Sequence, residues 1–233
     1  VLSPFPLVFI FLQRGKQVAL VLIALVFAVL WFLVGPNQAF LFLAEYAVMA
    51  LILGGMIQAR FPGGWCIGVS AAASGLASVL LLMVLFGSED TSVKDFFEKQ
   101  IRAHFLQSME AFEKVGENKV EIEDMKAFVE KTADGFASAY PAFVLIGSFV
   151  SALFNYGMVR IVWVRLYGPG LFSTRTFAEW VCPDNVVWGF IASSVALFLG
   201  EGMVGDVGLN VFAVMLVIYF VQGTSIVVHF LRA

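Results

Sequence analysis

Glu45 is the only acid well inside an apolar helical run, Ala39 to Ala59. It stands six residues from the start of that run, about 9 Å deep at 1.5 Å per helical residue. A carboxylate buried in lipid is costly unless it faces protein or a water-filled cavity, so Glu45 could hold a cation, a proton or a polar solute. The competing reading is a carboxylate near the outer headgroups. Asn155 follows Gly147 and Ser151 at four-residue steps, and Gln222, Ser225 and His229 form a second polar stripe. Both stripes could contact a ligand, although interhelical hydrogen bonds are the commoner use of such groups.

Catalytic signatures are lacking. The sequence holds no Walker A loop, HExxH, CxxC or GxSxG. Gly200 to Gly205 fits GxGxxG by letter but joins two apolar runs with no βαβ unit around it, so it reads as a flexible turn. His104 and His229 fall on opposite sides of the expected membrane and cannot share a metal. Cys66 and Cys182 both map near the cytoplasmic side, where thiols stay reduced and a disulfide is not expected. No catalytic residue, metal or cofactor is assigned.

The elements that must position these groups follow from composition. Of 233 residues, 61% are apolar and 13% charged, with 25 Phe and a mean hydropathy of +0.92, which excludes an ordinary soluble domain. The unbroken apolar runs indicate membrane helices and not the alternating strips of a barrel. Besides Val1 to Leu12, too short to span and read as the remainder of a truncated helix, the runs are Gln17 to Gly35, Ala39 to Ala59, Gly64 to Phe86, Tyr140 to Trp163, Asn185 to Leu199 and Leu209 to Leu231. Seven segments result. Arg14, Lys16, Arg60, Arg160, Arg165, Arg175 and Arg232 then fall on one side, and the short loops on the other side hold no Lys or Arg. Basic residues of short loops stay cytoplasmic.

The polar insertion 88–139 is placed outside by the same alternation. Its twelve acidic and seven basic residues give a charge of −5. Val93, Phe97, Ile101, Phe105, Met109, Phe112 and Val115, then Ile122, Met125, Val129, Thr132, Phe136 and Tyr140, recur near the 3.6-residue period. They imply two amphipathic helices in an antiparallel hairpin, with capping pairs Ser92/Asp95 and Asn118/Glu121 and a helix end at Gly116. Such a hairpin could dock a partner, cover an outward cavity, lie on the membrane, or simply bury its own Phe stripe. In the fourth segment Gly64, Gly68 and Ala72, with Gly75 and the adjacent Ser70, Ser74 and Ser78, mark close helix packing.

The stretch Phe177 to Gly189, with Trp180, Pro183 and Trp188, followed by Gly208-Leu209-Asn210 and Tyr219-Phe220-Val221-Gln222-Gly223, resembles the YybS-like family of bacterial inner-membrane proteins of unknown function. The resemblance lies mainly in the last part of the chain. It implies a fold distantly similar to the substrate-binding membrane subunits of energy-coupling-factor transporters and to the rod-shape protein MreD. It assigns no ligand residue by position, and the acidic hairpin lies outside its pattern.

The expected fold is therefore all-α, a polytopic transmembrane helical bundle with an extracytoplasmic amphipathic hairpin. Residues 1–87 carry segments one to four, 88–139 the hairpin, and 140–233 segments five to seven. The expected location is the bacterial cytoplasmic (inner) membrane. The expected function is non-enzymatic binding or transport of a small solute, as a membrane subunit without its own ATPase, with Glu45, Asn155, Gln222 and Ser225 as ligand candidates. The alternative is a scaffold for envelope or cell-shape proteins acting through the hairpin. A cavity lined by Glu45 or Gln222 favours the solute, and a sealed bundle favours the scaffold. Expected partners are the lipid bilayer and a partner membrane subunit, with no nucleic acid.

Overall fold

The computed structural model describes residues 4–86, 93–115, 128, 132–133, 135–172 and 179–232, with backbone alone at 106–115 and 232. Among these residues every regular element is a helix: α1 Pro4–Arg14, α2 Lys16–Leu33, α3 Pro36–Gln58, α4 Gly63–Phe86, α5 Val93–Val115, α6 Tyr140–Tyr167, α7 Val186–Leu199 and α8 Met203–Arg232. The joints follow local chemistry. Gly35 takes a φ of 121°, open to glycine alone at little cost, and Pro36 then starts α3 at the position where a missing N–H matters least.

Five helices are long and apolar enough to cross a membrane: α2, α3, α4, α6 and Met203–Leu231 of α8. The other two of the seven expected segments, α1 and α7, are present as shorter apolar helices. The 14 residues of α7 rise about 21 Å, short of the roughly 30 Å hydrocarbon core. Residues 181–183 ahead of it are not helical, and Pro183 and Asp184 close turns onto Val186 and Val187. The expected loop Gly200 to Gly208 shrinks to a turn at Gly200–Gly202, because Gly202 at φ 55° reverses the chain and α8 begins at Met203.

Contacts sort the helix ends into two groups. Gln13 Nε2 donates to Tyr167 Oη at 2.7 Å, joining the end of α1 to the end of α6. Gly63 and Gly64, at the start of α4, lie against Tyr156 and the Trp180 indole, and Ser225 Oγ of α8 donates to the Trp180 carbonyl at 2.9 Å. This is the end that carries Arg14, Lys16, Arg60 and Arg165; Arg175 lies outside the described residues. At the other end Phe86 meets Phe96, and Phe97 stacks on Tyr140 with centroids 5.4 Å apart.

Packing rather than water exclusion must hold these helices, since lipid tails are as apolar as Leu. Val8, Leu53, Ile57 and Val159 are fully buried between α1, α3 and α6, and Met49 is fully buried against Ala71 of α4 and Ala152 of α6. On α4 the buried stripe is Cys66, Ser70, Ala71, Ser74, Gly75, Ser78 and Val79. Gly75 touches Leu145 and Ser148 of α6, whereas a Cβ on Gly68 would meet nothing and Ala72 is exposed. Of the expected small residues, Gly64, against the Trp180 indole, and Gly75 make close approaches, and the adjacent serines are buried with them. Ser70 and Ser74 return their hydroxyls to the carbonyls of Cys66 and Ala71, which lets them pack as small residues.

Of the expected hairpin, α5 is present as the first helix. Its partner lies largely outside the described residues, including Ile122, Met125, Val129 and both capping positions Ser92 and Asn118; residues 135–138 are helical and lead into α6. The stripe Phe97, Ile101 and Phe105 faces the bundle, together with Phe136.

Candidate functional site

A carboxylate inside α3 needs a gap in the packing around it, and α3 supplies one. At Leu43–Ala47 the ladder loosens into a π turn, in which the Val48 N–H reaches the Leu43 carbonyl. Such turns concentrate at functional sites. Glu45 lies in this turn. Because α3 starts at Pro36, three residues before the expected Ala39, Glu45 is about 13 Å along the helix and not 9 Å.

Leu41 and Glu45, four residues apart, form one wall of a cleft of about 740 Å³. Ser78 and Leu82 of α4 have the same spacing and form the second wall. Tyr140, Phe143, Val144 and Gly147 of α6 form the third, and Phe97, Ile101, Phe105 and Phe136 close over the top. Each set shares one helical face by its spacing of three or four residues. The rings pair across elements, Phe97 on Tyr140 and Phe136 on Phe143 with planes tilted 13° and 16°. The lining is apolar except for a few polar groups, as in sites that hold drug-sized molecules.

Two of those polar groups are Ser78 and Glu45. Ser78 is 4% exposed, and its Oγ has no hydrogen-bond partner among the described residues. An orphaned hydroxyl in an apolar setting costs about 1–3 kcal/mol. No described Lys or Arg pairs with Glu45.

The other candidates lie elsewhere. Asn155 is fully buried and its Nδ2 donates to the Ser151 carbonyl at 2.7 Å. Gln222 Oε1 accepts from the Cys182 N–H at 2.6 Å, and Ser225 holds the Trp180 carbonyl. These two residues fasten the non-helical strap before α7 by supplying partners to its backbone. Burial pushes the Cys182 thiol up from its ordinary pKa, and Asp184 adds to the rise. Cys66 and Cys182 are free thiols. Asn155, Gln222 and Ser225 are therefore not brought together with Glu45.

Sequence reasoning did not single out Asn210 or the cleft role of Ser78. Asn210 Oδ1 accepts from the Ala142 N–H at 2.7 Å and its Nδ2 donates to the Ser138 carbonyl at 2.8 Å. It clamps α8 to the first turn of α6. Its position in Gly208-Leu209-Asn210 was the available signal. Ser78 was visible only as a member of the serine stripe.

Another hollow of about 260 Å³ is lined by Leu12, Gln13, Arg14, Trp163 and Tyr167. There Gln13 is already engaged with Tyr167. Among the described residues no three His, Cys, Asp or Glu side chains gather as a metal-binding group.

No curated protein and no solved structure matches the chain. A family model does, over residues 1–233, described as "Predicted membrane protein (DUF2232)". With five membrane-length helices and that match over its whole length, the chain belongs to this family of membrane proteins.

Proposed function

We propose that this is a non-enzymatic, multi-pass protein of the bacterial cytoplasmic membrane that captures a small solute in the α3–α4–α5–α6 cleft. It would serve as a membrane subunit that relies on a partner for any energy input. The observation that carries the reading is the cleft itself, roofed by aromatic residues and containing Glu45 and the orphaned Ser78 hydroxyl. A sealed bundle would have favoured a scaffold. The short-loop basic residues at the Arg14 end support a cytoplasmic position for that end and an external one for 88–139.

Native mass spectrometry of the protein released from detergent tests this reading. A retained small molecule is expected in the native chain and is lost from Leu82→Trp, which fills the cleft. A chain that carries no small molecule but retains an envelope protein would favour the scaffold.

A further inference from the structure

The chemistry of the cleft narrows the class of solute, on the reading that the cleft is a solute site. A ligand there must satisfy a carboxylate that no described Lys or Arg pairs and offer something to the orphaned Ser78 Oγ. It must also fill walls made of Leu41, Leu82, Ile101 and Val144 and pass beneath the paired rings Phe97/Tyr140 and Phe136/Phe143. Aromatic faces attract cations through their quadrupole, and more strongly where water is excluded. An anion meets a carboxylate, with no Lys or Arg on the lining among the described residues. A neutral apolar solute leaves Glu45 and Ser78 unsatisfied.

We infer that the cleft binds an organic ammonium cation with an apolar body, its charged head at Glu45 and Ser78 and its body against the α5 and α6 rings. Membrane lipids also offer ammonium heads, in ethanolamine and choline. Their ammonium comes with a phosphate, and among the described residues no Lys or Arg lines the cleft to receive it. The occupant is therefore a free solute. A volume of about 740 Å³ is within the range of pockets for such molecules.

The experiment uses the full chain in phosphatidylglycerol nanodiscs, which contain no ammonium lipid. The probes are benzylammonium, whose N–H groups can donate to Glu45 and Ser78, and its uncharged isostere ethylbenzene, and binding is followed by calorimetry. Saturable binding of the ammonium is expected, weakened about tenfold or more by Glu45→Gln, the loss expected for a charge-assisted contact. Leu82→Trp should remove binding while leaving the helical circular dichroism of the chain intact. Equal affinity for the two probes, no saturable ammonium binding, or no effect of Glu45→Gln would overturn the cation assignment. In the case of equal affinity, sensitivity to Leu82→Trp would leave the solute cleft standing; indifference of both probes to Leu82→Trp would remove the cleft as well. Loss of probe binding when phosphatidylethanolamine replaces phosphatidylglycerol would overturn the commitment to a free solute.

Discussion

Gln222 takes a backbone N–H as its partner, and its cost of removal follows from that. Gln222→Leu leaves the Cys182 N–H unsatisfied and should destabilise the protein by about 1–3 kcal/mol, read as thermal unfolding in detergent. Gln222→Glu keeps an acceptor and should lie between the two. The same change should speed alkylation of Cys182 at pH 8. Burial raises the pKa of that thiol, and a released strap lets it fall back, raising the thiolate fraction. An unchanged alkylation rate would mean that the strap does not depend on Gln222. Arg60 ends α3 at φ 60°, a left-handed conformation that costs a residue with a Cβ about 1–2 kcal/mol. Arg60→Gly should therefore raise the unfolding temperature slightly. At this scale the sequence was legible where chemistry is intrinsic: a lone acid in an apolar run, Glu45, does line the cleft. It was not legible where the partner comes from far along the chain, because Gln222 and Cys182 are 40 residues apart and no local pattern links them.

The helices respond to glycine according to what each one faces. A Cβ on Gly208 would come within 2.5 Å of the Leu197 nitrogen and 2.7 Å of the Ala196 carbonyl carbon. Backbone atoms cannot step aside as a flexible side chain does, so Gly208→Ala should force α7 and α8 apart and lower thermal stability clearly. Gly68→Ala meets open space and should be neutral or stabilising by up to about 1 kcal/mol through helix propensity. If the two substitutions behaved alike, the close α7–α8 approach would be wrong. Four-residue spacing defined a face of α4 without saying which of its residues meet a neighbour, which is why Gly68 and Ala72 were grouped with Gly64 and Gly75 although it is the latter two that make close approaches. The period of α5 was read correctly from Phe97, Ile101 and Phe105, but period alone did not reveal that this stripe turns towards α4 and α6. Phe105 is 42% exposed, so Phe105→Ala should cost well below the roughly 3–5 kcal/mol of a dry, close-packed core. Deleting 88–139 should leave the bundle inserted, because each membrane helix satisfies its own backbone, while removing one wall of the cleft and with it ligand retention.

The molecule as a whole was the most legible level, because bilayer thickness and loop charge act on long stretches and need no partner residue. The helix starts at Lys16, Gly63, Tyr140 and Val186 fall within one residue of those expected, whereas α3 begins three residues earlier and α8 six. The seven apolar runs all appear as helices, but their lengths were less legible, since an apolar run says nothing about where Pro183 interrupts the ladder. Single cysteines at Asn118 and Arg175, treated with a membrane-impermeant thiol reagent in intact cells, should react at 118 and not at 175; the opposite pattern would invert the orientation. The strap ahead of α7 also bears on biogenesis. Trp180 and Cys182 reach the membrane before Gln222 and Ser225, the groups that satisfy their backbone, have been synthesised. A helix of 14 residues emerging alone has neither the length to span nor a finished N-terminal anchor. Insertion of α7 should therefore wait for α8, the two entering as one hairpin turned at Gly202, and ribosome-bound chains that end before α8 is complete should still leave α7 accessible to water.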